Sequence, residues 1–158
     1  MSTGSMEQLY QQVILDHAKH PHGRGLALAG DHVGESHQVN PTCGDEVTLQ
    51  VELADGIVRD VRWEGQGCSI SQASVSVLHD LVVGNDLATV DQLGGTFRSL
   101  MSSRGVPLDD EDAQDALGDA TAFTGVGKYP ARIKCALLGW AALTDALIKT
   151  GARPTEDS

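Results

Sequence analysis

The chain has 158 residues, 41% of them hydrophobic and only 4% aromatic, so we expect one domain with a core of valine, leucine, isoleucine and alanine. Its 11 basic and 22 acidic side chains give a formal net charge of −11, which argues against nucleic acid or an anionic membrane surface as the main partner. No apolar run reaches the roughly 18–20 residues of a membrane span, no secretory signal is recognisable, and three cysteines do not make a disulfide framework, so we expect a cytoplasmic protein.

The first element in chain order is a helix. We expect it to run from about Met6 to Lys19, because Leu9, Val13 and Ile14 form an apolar stripe at helical spacing. Pro21 follows two residues after Lys19 and is incompatible with a continuing helix.

A small antiparallel sheet is predicted next. Residues 47–53 alternate between apolar and polar side chains, which indicates a strand with one exposed face. Asp55 and Gly56 form a strong hairpin signal, so residues 57–63 should return as the neighbouring strand. A further strand is expected at residues 32–39, which completes a three-stranded meander.

The second half of the chain is predicted to be helical. Apolar spacing and turn residues place four helices there, over residues 70–81, from 89 or 91 to 102, 109–117 and 130–150. Strands followed by helices indicate an α+β fold, with a small three-stranded antiparallel sheet and the helices packed on one of its faces. We expect one domain over residues 6–151, with flexible termini at 1–5 and 152–158.

The three cysteines lie in different local contexts. Cys43 lies in a Pro- and Gly-containing loop with Asp45 two residues on, while Cys68 follows Gly67 at the start of a predicted helix, where partial positive charge favours a thiolate. Cys135 lies in the first turns of the last helix, where we expect it to be half buried. No pair has the two-residue spacing of a zinc knuckle, so spacing alone leaves two readings open, a shared metal site or an ordinary core residue at Cys135.

Four segments of the chain form recognisable motifs: Leu15-Asp-His-Ala-Lys-His-Pro21, Asn40-Pro-Thr-Cys-Gly-Asp45, Gly65-Gln-Gly-Cys-Ser-Ile-Ser-Gln-Ala-Ser74 and Pro130-Ala-Arg-Ile-Lys-Cys-Ala-Leu-Leu-Gly-Trp140. Together they resemble the U-type iron–sulfur assembly family, the NifU/IscU-like N-terminal family, over about residues 6–150. The resemblance is strongest to its SufU-type branch, because Lys134 stands where the scaffolds of the ISC branch have a histidine and because residues 84–124 form a longer segment.

The resemblance implies a zinc site and a sulfur-transfer activity. The ligands that it implies are Cys43, Asp45, Cys68 and Cys135, a set of thiolates and a carboxylate that zinc accepts. The implied sulfur donor is a SufS-type, pyridoxal-phosphate-dependent cysteine desulfurase, whose persulfide sulfur Cys43 would accept and pass to the SUF scaffold complex. Arg132 lies three residues before Cys135 on the same helical face, so it either balances the negative charge of the site or is simply a solvated helix residue.

Two other functions use the same cysteines. A scaffold would assemble a [2Fe–2S] cluster on them, because thiolates hold iron–sulfur clusters as well as zinc. A structural zinc domain would bind proteins without chemistry. Lys134 favours the zinc-dependent sulfurtransferase over the cluster scaffold.

Histidines are concentrated between Asp16 and His22, where His17, His20 and His22 occur within seven residues. A metal site is one interpretation of this segment. A solvated helix end, at which histidine stabilises the helix dipole, is the interpretation that the sequence favours. The family resemblance would place His17 on a partner-facing surface.

Overall fold

The computed structural model describes residues 3–42 and 44–151, and the side chains of residues 3–7 lie outside that description. Within these limits a three-stranded sheet is accompanied by five α-helices and one 3₁₀ segment, which confirms the predicted α+β class. The elements are α1 (Thr3–Lys19), β1 (Val33–Asn40), β2 (Asp45–Ala54), β3 (Ile57–Gln66), α2 (Ser69–Val82), α3 (Leu87–Ser102), α4 (Glu111–Leu117), the 3₁₀ segment (Gly118–Lys128) and α5 (Pro130–Lys149).

The sheet is an antiparallel meander in the order β1-β2-β3. Asp55 and Gly56 make the turn between β2 and β3 with left-handed φ angles of 56° and 75°, the conformation that the two-residue hairpin signal predicts. Alternate residues of β2 face the helices and are buried; they are Val47, Leu49, Val51 and Leu53. The other face of β2 carries polar side chains, as the alternation in the sequence predicts.

The helices cover one face of this sheet. Helix α5 packs across β1 and β2, and α2 packs against α5 and β3. Helix α1 and the 3₁₀ segment then pack against α2. The few aromatic side chains are grouped in the helical layer, where the Phe97 ring centroid lies 5.9 Å from those of both Phe123 and Trp140. No helix of the described chain combines the length and apolar character that crossing a membrane requires.

Helix α1 differs from its prediction in start and in contacts. It begins at Thr3 rather than near Met6. Leu9, which was assigned to the apolar stripe, is 62% exposed, whereas Ile14 packs against the core. The contact with the core is therefore made by the second half of the helix. The predicted flexibility of the termini falls largely on residues 1, 2 and 152–158, which lie outside the described residues.

Capping carboxylates explain two other differences. Helix α3 begins at Leu87, before the predicted Thr89 or Asp91, because the Asp86 side chain accepts a hydrogen bond from the Thr89 N–H at 2.8 Å and closes the first turn. Hydrogen bonding at this cap lowers the pKa of Asp86. Asp110 caps α4 in the same way, so that helix begins at Glu111 rather than at residue 109.

A carboxylate on α5 ties this helix to the edge strand and gives a pH-dependent prediction. Asp145 accepts a hydrogen bond from the Ser36 hydroxyl at 2.7 Å and lies 3.0 Å from the Lys149 ammonium. The bond from Ser36, followed by the contact with Lys149, lowers the pKa of Asp145. A carboxyl group with a lowered native pKa stabilises the fold above its ordinary pKa, about 3.9, and loses that contribution as pH falls through the native value.

We therefore expect Asp145→Asn to melt at a lower temperature than the wild type at pH 7, and the difference to shrink as pH falls below about 4. Thermal denaturation of both proteins at a series of pH values measures this. A melting-temperature difference that stays constant down to pH 3 would show that the charge on Asp145 does not stabilise the fold.

Candidate metal centre

Asp45 is placed at the centre of the candidate site by strand register. It is the first residue of β2 and pairs with Asn40, the last residue of β1. Since side chains alternate along a strand, Asp45 faces the helical layer together with Val47 and Leu49. Its side chain is fully buried, at 0% exposure. A carboxylate is thus held at the inner edge of the sheet.

Cys68 approaches this carboxylate from the start of α2. As the N-cap residue of α2, it donates its backbone N–H to Asp45 Oδ1 at 2.9 Å, and its Sγ lies 3.9 Å from Asp45 Oδ2. Gly67 makes this approach possible, because its φ is +143° and a Cβ atom there would lie 2.1 Å from Asp45 Oδ1. The Cys68 thiol is exposed.

Cys135 reaches the same place from the second turn of α5. It is only 1% exposed, so the expectation that it is half buried was wrong, because α5 lies across the sheet at this point. Its Sγ lies 3.7 Å from the backbone oxygen of Ala131 and accepts a hydrogen bond from the side-chain amide of Asn40 at 3.8 Å. Ligand atoms of Asp45, Cys68 and Cys135 all lie within 4.8 Å of one another.

The charge at this site fits a cation. Among the residues that the structure describes, Asp45 forms no ion pair with a lysine, arginine or histidine. A buried carboxylate without a positive partner is costly, and two neighbouring thiols would add to the negative charge on ionisation. Two sulfur atoms and one carboxylate oxygen are donors that zinc accepts in a tetrahedral site. The residues present therefore fit a bound metal ion.

The other two predicted site residues, Cys43 and Arg132, are not part of this group of three ligands. Cys43 lies outside the described residues. Arg132 is exposed on the first turn of α5, and its guanidinium carbon lies 5.3 Å from the centre of the Tyr129 ring. Within the described chain Arg132 makes no ion pair with Asp45. Lys134, beside Cys135 in the sequence, is exposed.

Asn40 is the first residue of the motif that ends at Asp45, but it was not predicted to be a functional residue. It is 7% exposed, and its amide nitrogen points at Cys135 Sγ. An N–H donor next to a metal-binding sulfur is a common feature of thiolate sites, because it stabilises the negative charge on sulfur. No local signal in the sequence could have identified it, because the contact depends on how α5 packs against the end of β1.

The histidine segment is exposed at His20 and His22, as the prediction of a solvated helix end requires, but not at His17. His17 is 6% exposed, so neither solvent nor a partner-facing surface surrounds it. Its Nδ1 lies 2.7 Å from Ser76 Oγ and its Nε2 lies 3.0 Å from Asp119 Oδ2. The ring therefore connects α1 with α2 and the 3₁₀ segment.

Comparison with known proteins gives consistent similarities over most of the chain. Residues 9–149 match the family model of the NifU-like N-terminal domain. The zinc-dependent sulfurtransferase SufU of Bacillus subtilis (strain 168) is 41% identical over 145 residues, which cover 92% of this chain and 93% of that protein. The iron–sulfur cluster assembly scaffold protein IscU of Streptococcus pyogenes serotype M1 is 36% identical over 147 residues, which cover 93% of this chain and 87% of that protein.

A solved structure shares the fold as well. The crystal structure of a protein from Fervidobacterium islandicum AW-1, described as a candidate iron–sulfur cluster assembly scaffold for the SUF system, superposes with a TM-score of 0.72. It is 31% identical in sequence, and the match covers 89% of this chain and 98% of that chain. These similarities include the three segments that carry Asp45, Cys68 and Cys135.

Proposed function

The chain belongs to the NifU-like N-terminal domain family, and on that premise we propose that it is a zinc-dependent sulfurtransferase of iron–sulfur cluster assembly. The observation that carries the proposal is the convergence of Asp45, Cys68 and Cys135 from three distant segments, around a buried carboxylate with no cationic partner in the described chain. The similarity to the zinc-dependent SufU of Bacillus subtilis supports zinc as the metal and sulfur transfer as the activity.

The proposed ligands are Cys43, Asp45, Cys68 and Cys135. Cys43 lies two residues before Asp45 in the sequence, and a fourth donor completes the tetrahedron that zinc prefers. When bound, zinc supplies positive charge that keeps the thiols deprotonated at neutral pH. Asn40 would stabilise the Cys135 thiolate through its amide.

Cys43 is the proposed sulfur acceptor. Cys135 lies on the buried face of α5, out of reach of a partner. Cys68 has an exposed thiol, but the family resemblance assigns the acceptor role to Cys43, which stands between Pro41 and Gly44 in a turn-forming stretch of the sequence. The proposed donor is the persulfide of a SufS-type cysteine desulfurase. The Cys43 thiolate attacks its outer sulfur, a new S–S bond forms on Cys43, and the donor cysteine leaves as a thiolate. The SUF scaffold complex would receive the sulfur by the same exchange.

Arg132 is proposed to assist this transfer. Three thiolates and one carboxylate around Zn²⁺ give a formal charge of about −2, and an incoming persulfide is negative as well. The exposed guanidinium of Arg132, three residues from Cys135 on α5, can attract such an anion. Transfer between thiols needs a reducing compartment, so we place the protein in the cytoplasm.

Persulfide mapping tests the acceptor. After incubation with a SufS-type desulfurase and free cysteine, we expect mass spectrometry to find the extra sulfur on the peptide that contains Cys43, and desulfurase turnover to rise. Cys43→Ala should abolish both effects. Arg132→Ala, which keeps Cys43, serves as the matched variant and should slow transfer without moving the modification. The assignment is wrong if Cys43→Ala stimulates the desulfurase as the wild type does.

A cluster scaffold is the second candidate function. It is favoured by the similarity to the IscU scaffold protein of Streptococcus pyogenes, and the same thiols could hold a [2Fe–2S] cluster. The two functions differ in what the purified protein carries, because a zinc protein is colourless and an iron–sulfur protein absorbs visible light.

A further inference from the structure

A second group of possible metal ligands lies outside the cysteine site. His17 at the end of α1, His22 in the segment after it and Asp80 in α2 bring one ligand atom each within 4.8 Å of one another. The centres of the two imidazole rings are 4.8 Å apart. None of these residues belongs to the proposed sulfur-transfer machinery.

His17 is held in place through both ring nitrogens. Nδ1 contacts Ser76 Oγ at 2.7 Å, and Nε2 contacts Asp119 Oδ2 at 3.0 Å. A histidine that binds a metal through one nitrogen is normally oriented by a hydrogen bond from the other. Whichever nitrogen of His17 bound a metal ion, the other would keep such a partner.

His22 combines an exposed ring with a fixed backbone. Its N–H donates to Ser76 Oγ at 2.8 Å, and its carbonyl oxygen accepts a hydrogen bond from the indole N–H of Trp63, also at 2.8 Å. Trp63 is completely buried, so the backbone of His22 is anchored to the core. The His22 side chain is 49% exposed, and its Nδ1 lies 2.6 Å from Asp80 Oδ2.

Asp80 is oriented by a third histidine. Its Oδ1 lies 3.2 Å from Nδ1 of His79 while Oδ2 faces His22. The carboxylate is 44% exposed, so solvent reaches the group. All three possible ligands are thus positioned by neighbouring groups, and His22 and Asp80 are open to solvent while His17 is buried.

We propose that His17, His22 and Asp80 bind a divalent transition-metal ion in a second, exchangeable site. Two imidazoles and one carboxylate select ions such as Zn²⁺ over Mg²⁺ and Ca²⁺, which prefer all-oxygen sites. Three protein ligands leave at least one coordination position for water. Binding of the ion replaces the contact between His22 and Asp80.

Calorimetric titration of the protein with Zn²⁺ tests this site. The protein carries no histidine tag, its cysteine site is filled with zinc beforehand, and excess metal is removed by gel filtration. We expect one further equivalent of Zn²⁺ to bind at this second site and no Mg²⁺ to bind there. His22→Ala and Asp80→Asn should each weaken this second binding at least about 10-fold.

His20→Ala is the matched control, because His20 is an exposed histidine in the same segment, and it should bind the second equivalent as the wild type does. The proposal is overturned if the wild type takes up no second equivalent, or if His22→Ala binds it unchanged. Since His22 takes no part in the sulfur-transfer site, His22→Ala should still accept persulfide on Cys43, so the two proposals fail separately.

Discussion

Gly67→Ala is expected to abolish stable zinc binding and to destabilise the protein by about 2–5 kcal/mol. The added Cβ would lie 2.1 Å from Asp45 Oδ1 and 2.9 Å from Asp45 Cα, so either the carboxylate or the start of α2 must move. The φ of +143° adds backbone strain for any residue other than glycine. Urea denaturation and zinc content of the purified variant measure both effects.

Gly84→Ala is the control for strain alone. Gly84 also has a left-handed φ, of +90°, but nothing lies within 4 Å of the position that its Cβ would take. We expect this variant to lose about 1–2 kcal/mol of stability and to keep its zinc. If Gly67→Ala bound zinc as tightly as Gly84→Ala, the close approach of Gly67 to Asp45 would not matter for the site.

Removal of zinc should produce the second large effect, a lower melting temperature. The proposed ligands Asp45, Cys68 and Cys135 come from β2, the start of α2 and α5, so a bound ion would link the sheet to two helices. Binding to the native state adds directly to its stability. Free zinc at 1,000 times its dissociation constant contributes about 4 kcal/mol. For a chain of this size that corresponds to roughly 8–16 °C in melting temperature.

Asp45→Ala provides the comparison for this experiment. The variant lacks the buried carboxylate, so it should melt below the zinc-loaded wild type and show little further change when a chelator is added. Thermal denaturation with and without chelator compares the two proteins. A wild type whose melting temperature does not respond to complete metal removal would exclude a site that links these elements.

Local signals predicted the sheet and most of the helices well. The alternation over β2 and the turn at Asp55 and Gly56 depend on a few neighbouring residues, and the structure has them as predicted. The 3₁₀ segment was not predicted, because its buried Phe123 is anchored by contact with Phe97 on α3 rather than by a pattern of its own. The starts of α3 and α4 were misplaced by local caps, Asp86 and Asp110, whereas the 3₁₀ segment depends on distant packing.

In the candidate site too, motifs predicted some residues, and contacts between distant residues were missed. The proximity of Asp45, Cys68 and Cys135 was expected from family motifs, since their spacing alone left Cys135 as a possible core residue. The contact between Asn40 and Cys135 joins residues 95 positions apart, and no local pattern reports it. His17 was misjudged for the same reason, because Ser76 and Asp119 lie 59 and 102 positions away.

The metal content of protein purified without oxygen, read together with its absorption spectrum, tests the central claim most directly. After gel filtration we expect one zinc ion per chain and no visible absorption, and Asp45→Ala should carry less zinc. Iron and sulfide in equal amounts, with a brown colour that disappears in the cysteine variants, would contradict zinc-dependent sulfur transfer and identify the chain as a cluster scaffold.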